Sequence, residues 1–289
     1  MSAKEGLCVI LNYTRPLSIK SSFFAKHSDY KAVVIPPLPF WGPRATKNSS
    51  STLFQRQKSK VKHNSMSRFT ALLLLLLTFP SSILAENYAE MSECETIIDD
   101  FAAGINTNWK SKSFSGVTEY TWTKKDNRAY VRATSRGTAS GLYYKIKYDP
   151  AQYPYITWQW KVDNIIASGD ATRKSGDDYG ARIYVVFHSF FFWNTTAINY
   201  IWANKLPKEQ AVPNPYTSKS IMISIESGRA ENGKWITETR NIFEDYKRFF
   251  GKEPPKIAAI AIMTDTDDTG ESATANYGPI AICSRDPQK

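Results

Sequence analysis

Hydrophobic and polar residues alternate with a period of two through most of the chain beyond residue 130. Leu142, Tyr144 and Ile146 alternate with Tyr143, Lys145 and Lys147. Ile156, Trp158, Trp160 and Val162 alternate with Thr157, Gln159 and Lys161, and Ile183, Val185 and Phe187 alternate with Arg182, Tyr184 and His188. Successive side chains of a strand point to opposite faces, so each run predicts a strand with one buried face. Tyr130 to Thr134, Ile221 to Glu226, Trp235 to Arg240, Ile257 to Thr264 and Ala275 to Cys283 predict further strands. Short strands with turn residues between them predict an all-β protein, an antiparallel β-sandwich of the jelly-roll kind. One segment breaks the period. Asn241 can cap a helix, Glu244 takes the capping-box position, Phe243, Tyr246 and Phe250 form an apolar stripe, and Gly251 before Pro254-Pro255 ends it. This predicts one short helix packed over the sandwich. Residues 204–219, with prolines at 207, 213 and 215, predict a long surface loop.

A different pattern precedes this region. Met66-Ser67-Arg68 leads into the apolar run Phe69 to Leu77, and Pro80-Ser81-Ser82-Ile83-Leu84-Ala85 follows. This order reads as a secretory signal peptide over residues 66–85, cleaved after Ala85. A membrane-spanning helix needs about 20 apolar residues, and Pro80 with two serines interrupts the run sooner. Export to a periplasm or to the extracellular space is therefore expected, with no transmembrane anchor in the mature chain. Residues 1–65 lack sustained periodicity and read as a non-native or disordered extension upstream of a true start at Met66, with a transit peptide as the alternative. Residues 86–289 are expected to form a single sandwich domain.

Charge follows the same division. From Glu86 onward the chain carries 25 Lys and Arg against 25 Asp and Glu, so the formal net charge of +10 lies entirely upstream. A nucleic-acid binder is expected to keep a basic excess on its folded part, which argues against that partner. Cys8 falls in the leader, and Cys94 and Cys283 remain as a pair near the two ends of the domain. In an exported protein such a pair suggests a disulfide, with two buried thiols as the alternative.

Several segments together resemble the domain-of-unknown-function family 3047. They are Ala139-Ser140-Gly141-Leu142, Trp158-Gln159-Trp160-Lys161-Val162, Gly176-Asp177-Asp178-Tyr179 through Phe187, and Thr264-Asp265-Thr266-Asp267-Asp268-Thr269. The resemblance implies an exported, mostly bacterial group without an assigned activity, so it transfers no catalytic residue.

Candidate chemistry has to come from the side chains. The turn after Thr264 offers oxygen ligands for a hard cation such as calcium from Asp265, Asp267, Asp268 and Thr269; a hydrogen-bonded turn would use the same residues. Arg182, Tyr184, Gln159, Lys161 and Arg240 lie on the polar sides of their strands and predict a groove for a glycan or other polar ligand, unless these faces are simply solvated. Trp158 and Trp160 share a side with Ile156 and Val162 and read as core, which leaves Trp202 as a stacking candidate. Glu226 and Glu238 are candidates for a catalytic carboxylate pair in a glycoside hydrolase. Arg182, Tyr184 and His188 are the corresponding candidates for a polysaccharide lyase. His188 is the only histidine after residue 85, which excludes a multi-histidine zinc site. A structural envelope protein without a small ligand is a third class. Binding of a carbohydrate or polar ligand is the leading expectation.

Overall fold

The computed structural model describes Met91 and residues 94–289. The expectations for residues 1–65, the signal peptide and its cleavage point fall outside the described residues. Among the described residues thirteen strands form two sheets: β1 Thr96–Asp99, β2 Trp109–Ser115, β3 Glu119–Lys125, β4 Arg128–Arg136, β5 Ala139–Tyr148, β6 Tyr155–Val162, β7 Tyr179–Phe187, β8 Thr196–Ala203, β9 Ala211–Asn214, β10 Thr217–Ser227, β11 Ile236–Asn241, β12 Ile257–Asp265 and β13 Ser272–Cys283. The six-stranded sheet runs β11-β6-β13-β4-β3, with β1 also paired to β13, and the seven-stranded sheet runs β2-β5-β12-β7-β8-β10-β9. The all-β sandwich is therefore present. One pair, β8 with β10, is parallel rather than antiparallel.

The inner faces are the apolar sides of the alternating runs. Ile156, Trp158, Trp160 and Val162 of one sheet and Ala181, Ile183, Val185 and Phe187 of the other join one buried cluster. Aromatic rings bridge the layers: Trp158 stacks on Tyr200 at 5.3 Å, and Trp160 meets Trp202 edge-on at 5.8 Å. The helix α1, Ile242–Phe250, forms as the capping residues require. Asn241 accepts from the Glu244 backbone N–H at 3.0 Å, and Gly251 closes the helix at φ 67°, a conformation that favours glycine. Its buried stripe runs through Ile242 and Tyr246, whose ring lies 4.3 Å from Phe187, while Phe243 turns aside beneath Lys247.

Residues 204–219 are not one loop. They contain β9, an edge strand antiparallel to β10, where Pro213 is tolerated because one side of an edge strand needs no hydrogen-bond donor. The first and last strands pair, and Cys94 and Cys283 are joined by a disulfide. Closing a loop of 189 residues contributes about 5 kcal/mol in the chain-entropy account.

Candidate functional site

Arg182 sits on β7 opposite Met263 of β12, and Asp265 lies two residues further along β12. The guanidinium is 1% exposed. Its Nε donates to Asp265 Oδ1 at 2.9 Å, its Nη2 donates to Asp265 Oδ2 and to the Asp177 carbonyl at 2.6 Å, and its Nη1 lies 3.7 Å from Asp177 Oδ2. The Tyr179 ring covers it at 4.3 Å. A buried cation requires buried carboxylates, and here they consume the fork. Arg182 is thus not a ligand-binding arm, Asp265 is not a metal ligand, and the lyase arrangement loses its arginine.

Asp178 takes the neighbouring task. Its carboxylate accepts the backbone N–H groups of Asp268 at 3.3 Å and Thr269 at 2.7 Å, which ties the loop before β7 to the turn after β12. Thr269 Oγ1 accepts from Glu271 N at 3.3 Å, and the Tyr216 hydroxyl donates to Asp268 Oδ1 at 2.7 Å. The carboxylates that converge are Asp178, Asp267 and Asp268, with oxygens within 4.8 Å of one another. The candidate cation ligands therefore shift from Asp265, Asp267, Asp268 and Thr269 to this triplet. It already serves as a hydrogen-bonded turn.

Glu226 and Glu238 do come together, across the open edge between the sheets. A register shift after Ser224 sets Glu226 opposite the inward-facing Trp202, and Glu238 lies opposite the inward-facing Trp158. Glu226 is a charged neighbour of Glu238, Lys208 Nζ reaches Glu226 Oε1 at 2.5 Å, and Trp160 Nε1 donates to Glu238 Oε1 at 3.4 Å. Burial, and then the neighbouring Glu226 charge, pushes the Glu238 carboxyl up to about 8. Retaining glycosidases hold their carboxyls about 5 to 5.5 Å apart and inverting ones farther, with room for a sugar or water between them. Here Glu226 is buried and already engaged by Lys208.

Arg240 shares this inward edge, opposite Ile156, instead of an outer face. It donates to both oxygens of Asp245, at 2.8 and 3.1 Å, and to Glu209 at 2.9 Å. Trp202 is 1% exposed and donates Nε1 to the Gly228 carbonyl at 3.1 Å, so it is a core ring and not a stacking platform. Tyr184 lies on the outer side of the seven-stranded sheet, packed with Val186, Ala259, Ala261 and Met263. The predicted groove residues are thus dispersed over three surfaces.

Gln159 and Lys161 stay together on the outer face of the six-stranded sheet, and the structure adds neighbours. Register places Lys161 beside Asn276, and Asn276 beside Arg132 of β4. Arg128 Nη1 donates to Gln159 Oε1, and its guanidinium lies 4.6 Å over the Trp235 ring. Tyr130 meets Trp235 edge-on at 5.3 Å, and Lys161 Nζ lies 5.8 Å from the same ring. Gly278 makes this close packing feasible, because a Cβ there would lie 3.0 Å from Gln159 Cβ and 3.3 Å from Trp235. Gln159 Nε2 is buried without a hydrogen-bond partner among the described residues. Asp163 is the acid of this face, 3.2 Å from Arg132 and 3.8 Å from Lys161. Arg128, Tyr130, Arg132 and Trp235 were missed as site residues. The alternation Arg128, Tyr130, Arg132, Thr134, Arg136 was the legible signal, since it puts three arginines on one side of β4.

Among solved structures, a carbohydrate-binding module of the β-sandwich superfamily is similar at 13% identity and a TM-score of 0.36, over 63% of this chain and 60% of that one. The Emp47p carbohydrate recognition domain is similar at 9% identity and a TM-score of 0.41, over 66% of this chain and 97% of that one. The glycoside hydrolase domain of Endo-D from Streptococcus pneumoniae R6 is similar at 10% identity and a TM-score of 0.31, over 61% of this chain and 22% of that one. The chain thus spans less than two thirds of the first and the third of these structures. Likenesses this distant carry no functional argument. No curated protein matches the sequence. The family model described as "Protein of unknown function (DUF3047)" matches residues 107–281, and the chain belongs to that family.

Proposed function

We propose that the protein is an exported binding protein for a carboxylate-bearing glycan, taken up on the outer face of the six-stranded sheet. The observation that carries the reading is the buried, unpartnered Gln159 Nε2 beneath the half-buried Trp235 ring, with Arg128, Arg132 and Lys161 around it. An aromatic ring offers a surface to a sugar ring, an amide donor meets a hydroxyl or ring oxygen, and arginine suits a carboxylate through paired donors. Lys125 and Arg136 extend the basic row on the same face. These five basic residues share the face with Asp163 and Glu119, which leaves it net positive. The disulfide supports an oxidising compartment, where such glycans are met.

Calorimetric titration with a uronate oligosaccharide and with its carboxyl-reduced neutral counterpart tests the reading. Binding of the acidic sugar, lost in Trp235→Ala and weakened about tenfold or more in Lys161→Gln, is the expected result. Absence of binding by either sugar would overturn the proposal and favour a structural envelope role. Equal binding of both would retain the glycan and remove the carboxylate. Thermal melts of both variants separate lost binding from lost folding.

A further inference from the structure

The connection between β7 and β8 reads His188-Ser189-Phe190-Phe191-Phe192-Trp193-Asn194-Thr195. Phe190, Phe191 and Trp193 are 87%, 47% and 53% exposed, and they are three of the six exposed large hydrophobic residues among those described. The rings are assembled in advance: Phe190 meets Phe191 edge-on at 4.9 Å, and Phe191 stacks on Trp193 at 4.8 Å with 19° between planes. A short 3-10 turn, Phe192–Asn194, and Lys219, which donates to the Trp193 carbonyl and to Asn194 Oδ1, hold the tip. An apolar cluster presented to solvent on a braced loop marks a contact surface.

The surroundings indicate which contact. His188 N donates to the Lys256 carbonyl at 2.7 Å, and Phe187, Ile257 and Tyr148 lie side by side in register. Exposed Lys147, Lys252 and Lys256 therefore gather at the same end as the aromatic tip, against Asp149 and Glu253. Stacking of Phe191 on Trp193 uses ring faces that a sugar would need, which disfavours a glycan here. Three rings on one loop also fall far short of the roughly 800 Å² per partner of a stable dimer. Aromatic rings with lysines behind them suit the boundary between lipid headgroups and acyl chains. We infer that the β7–β8 tip inserts into an anionic lipid surface, with Phe190, Phe191 and Trp193 entering the interface and the lysines meeting the headgroups.

The full chain with Cys8→Ser and Phe190→Cys, labelled at position 190 with a polarity-sensitive fluorophore, is mixed with vesicles of phosphatidylcholine alone or with added phosphatidylglycerol. A second protein carries the label at Lys124→Cys, in the β3–β4 hairpin. The local probe separates insertion of this loop from adsorption by any other segment. A blue shift at 190 and not at 124, stronger with phosphatidylglycerol and reduced about tenfold or more in lipid affinity by adding Trp193→Asp, is expected. No shift at 190 with either vesicle would overturn the inference, as would equal shifts at 190 and 124. Equal shifts with both lipids would overturn the anionic requirement. A shift that appears on raising protein concentration without vesicles would assign the tip to a second copy.

Discussion

Two charged clusters use the same residue types and reach opposite ends. Around Arg182, the guanidinium, Asp265 and Asp177 are all buried and mutually hydrogen-bonded. Around Trp235, Arg128 and Gln159 are buried, but Arg132 and Lys161 are partly exposed and one amide nitrogen has no described partner. On the strands both clusters look alike, as polar residues at every second position. The difference is whether the charged groups are matched: the Tyr179 hydroxyl is buried without a described partner beside Arg182, but the Arg182 fork itself is filled by Asp265 and Asp177. A saturated cluster is structural, and an incomplete one has capacity left for a ligand.

The largest test breaks the saturated cluster. Arg182→Ala leaves Asp265 and Asp177 buried without their cation and is expected to cost about 3 to 5 kcal/mol, read as a lowered denaturant midpoint. A loss below 1 kcal/mol would show that the two clusters differ less than the structure implies. Asp178→Asn, which weakens the clasp on the Asp268 and Thr269 amides, is expected to cost about 1 to 2 kcal/mol. Equal losses in calcium and in chelator would make the carboxylate triplet a clasp, and a loss seen only with calcium would make it a cation site.

The edge pair gives a pH test between these extremes. Glu238 is held up at about 8 in the folded protein, above its ordinary 4.5, so the fold binds this proton more tightly than the unfolded chain. Its contribution is full below about pH 4.5, declines as pH rises and is gone above about 8. Stability should therefore fall across that window by less than about 1.4 kcal/mol per pH unit, and Glu238→Gln should flatten the fall. An unchanged slope in the variant would show that the Glu238 carboxyl is not held up. The smallest effect sits on the incomplete cluster: Lys161→Gln should shift stability by no more than about 0.5 kcal/mol. Destabilisation beyond 1 kcal/mol would make that face structural as well.

The positions of β4 to β7 and β10 to β13, the inward Trp158 and Trp160 and the capped helix were legible because each rests on local spacing, while β1 to β3, β8 and β9 were not, and the cysteine count left bonded and free thiols both open. The site was less so. Trp202 stands next to residues 204–219, which their prolines mark as a loop, yet β8 carries it into the core. Arg240 looked outward because alternation was counted along β11 alone, whereas pairing with Ile156 turns it inward. Glu226 changes side at a register shift that leaves no mark in the periodicity. In the alternating pattern Trp235 is only the first residue of a strand, and its importance appears when β4, β6 and Gly278 meet beneath it.

The amino-acid order by itself determined the two-residue period, and hence most of the strands and the capped helix, because side chains of a regular strand alternate between its two faces. Which polar residues became bonded to each other and which kept unused capacity was decided by tertiary structure. Burial and pairing are properties of neighbours brought from distant parts of the chain, as Arg182 with Asp265 and Glu226 with Glu238 demonstrate.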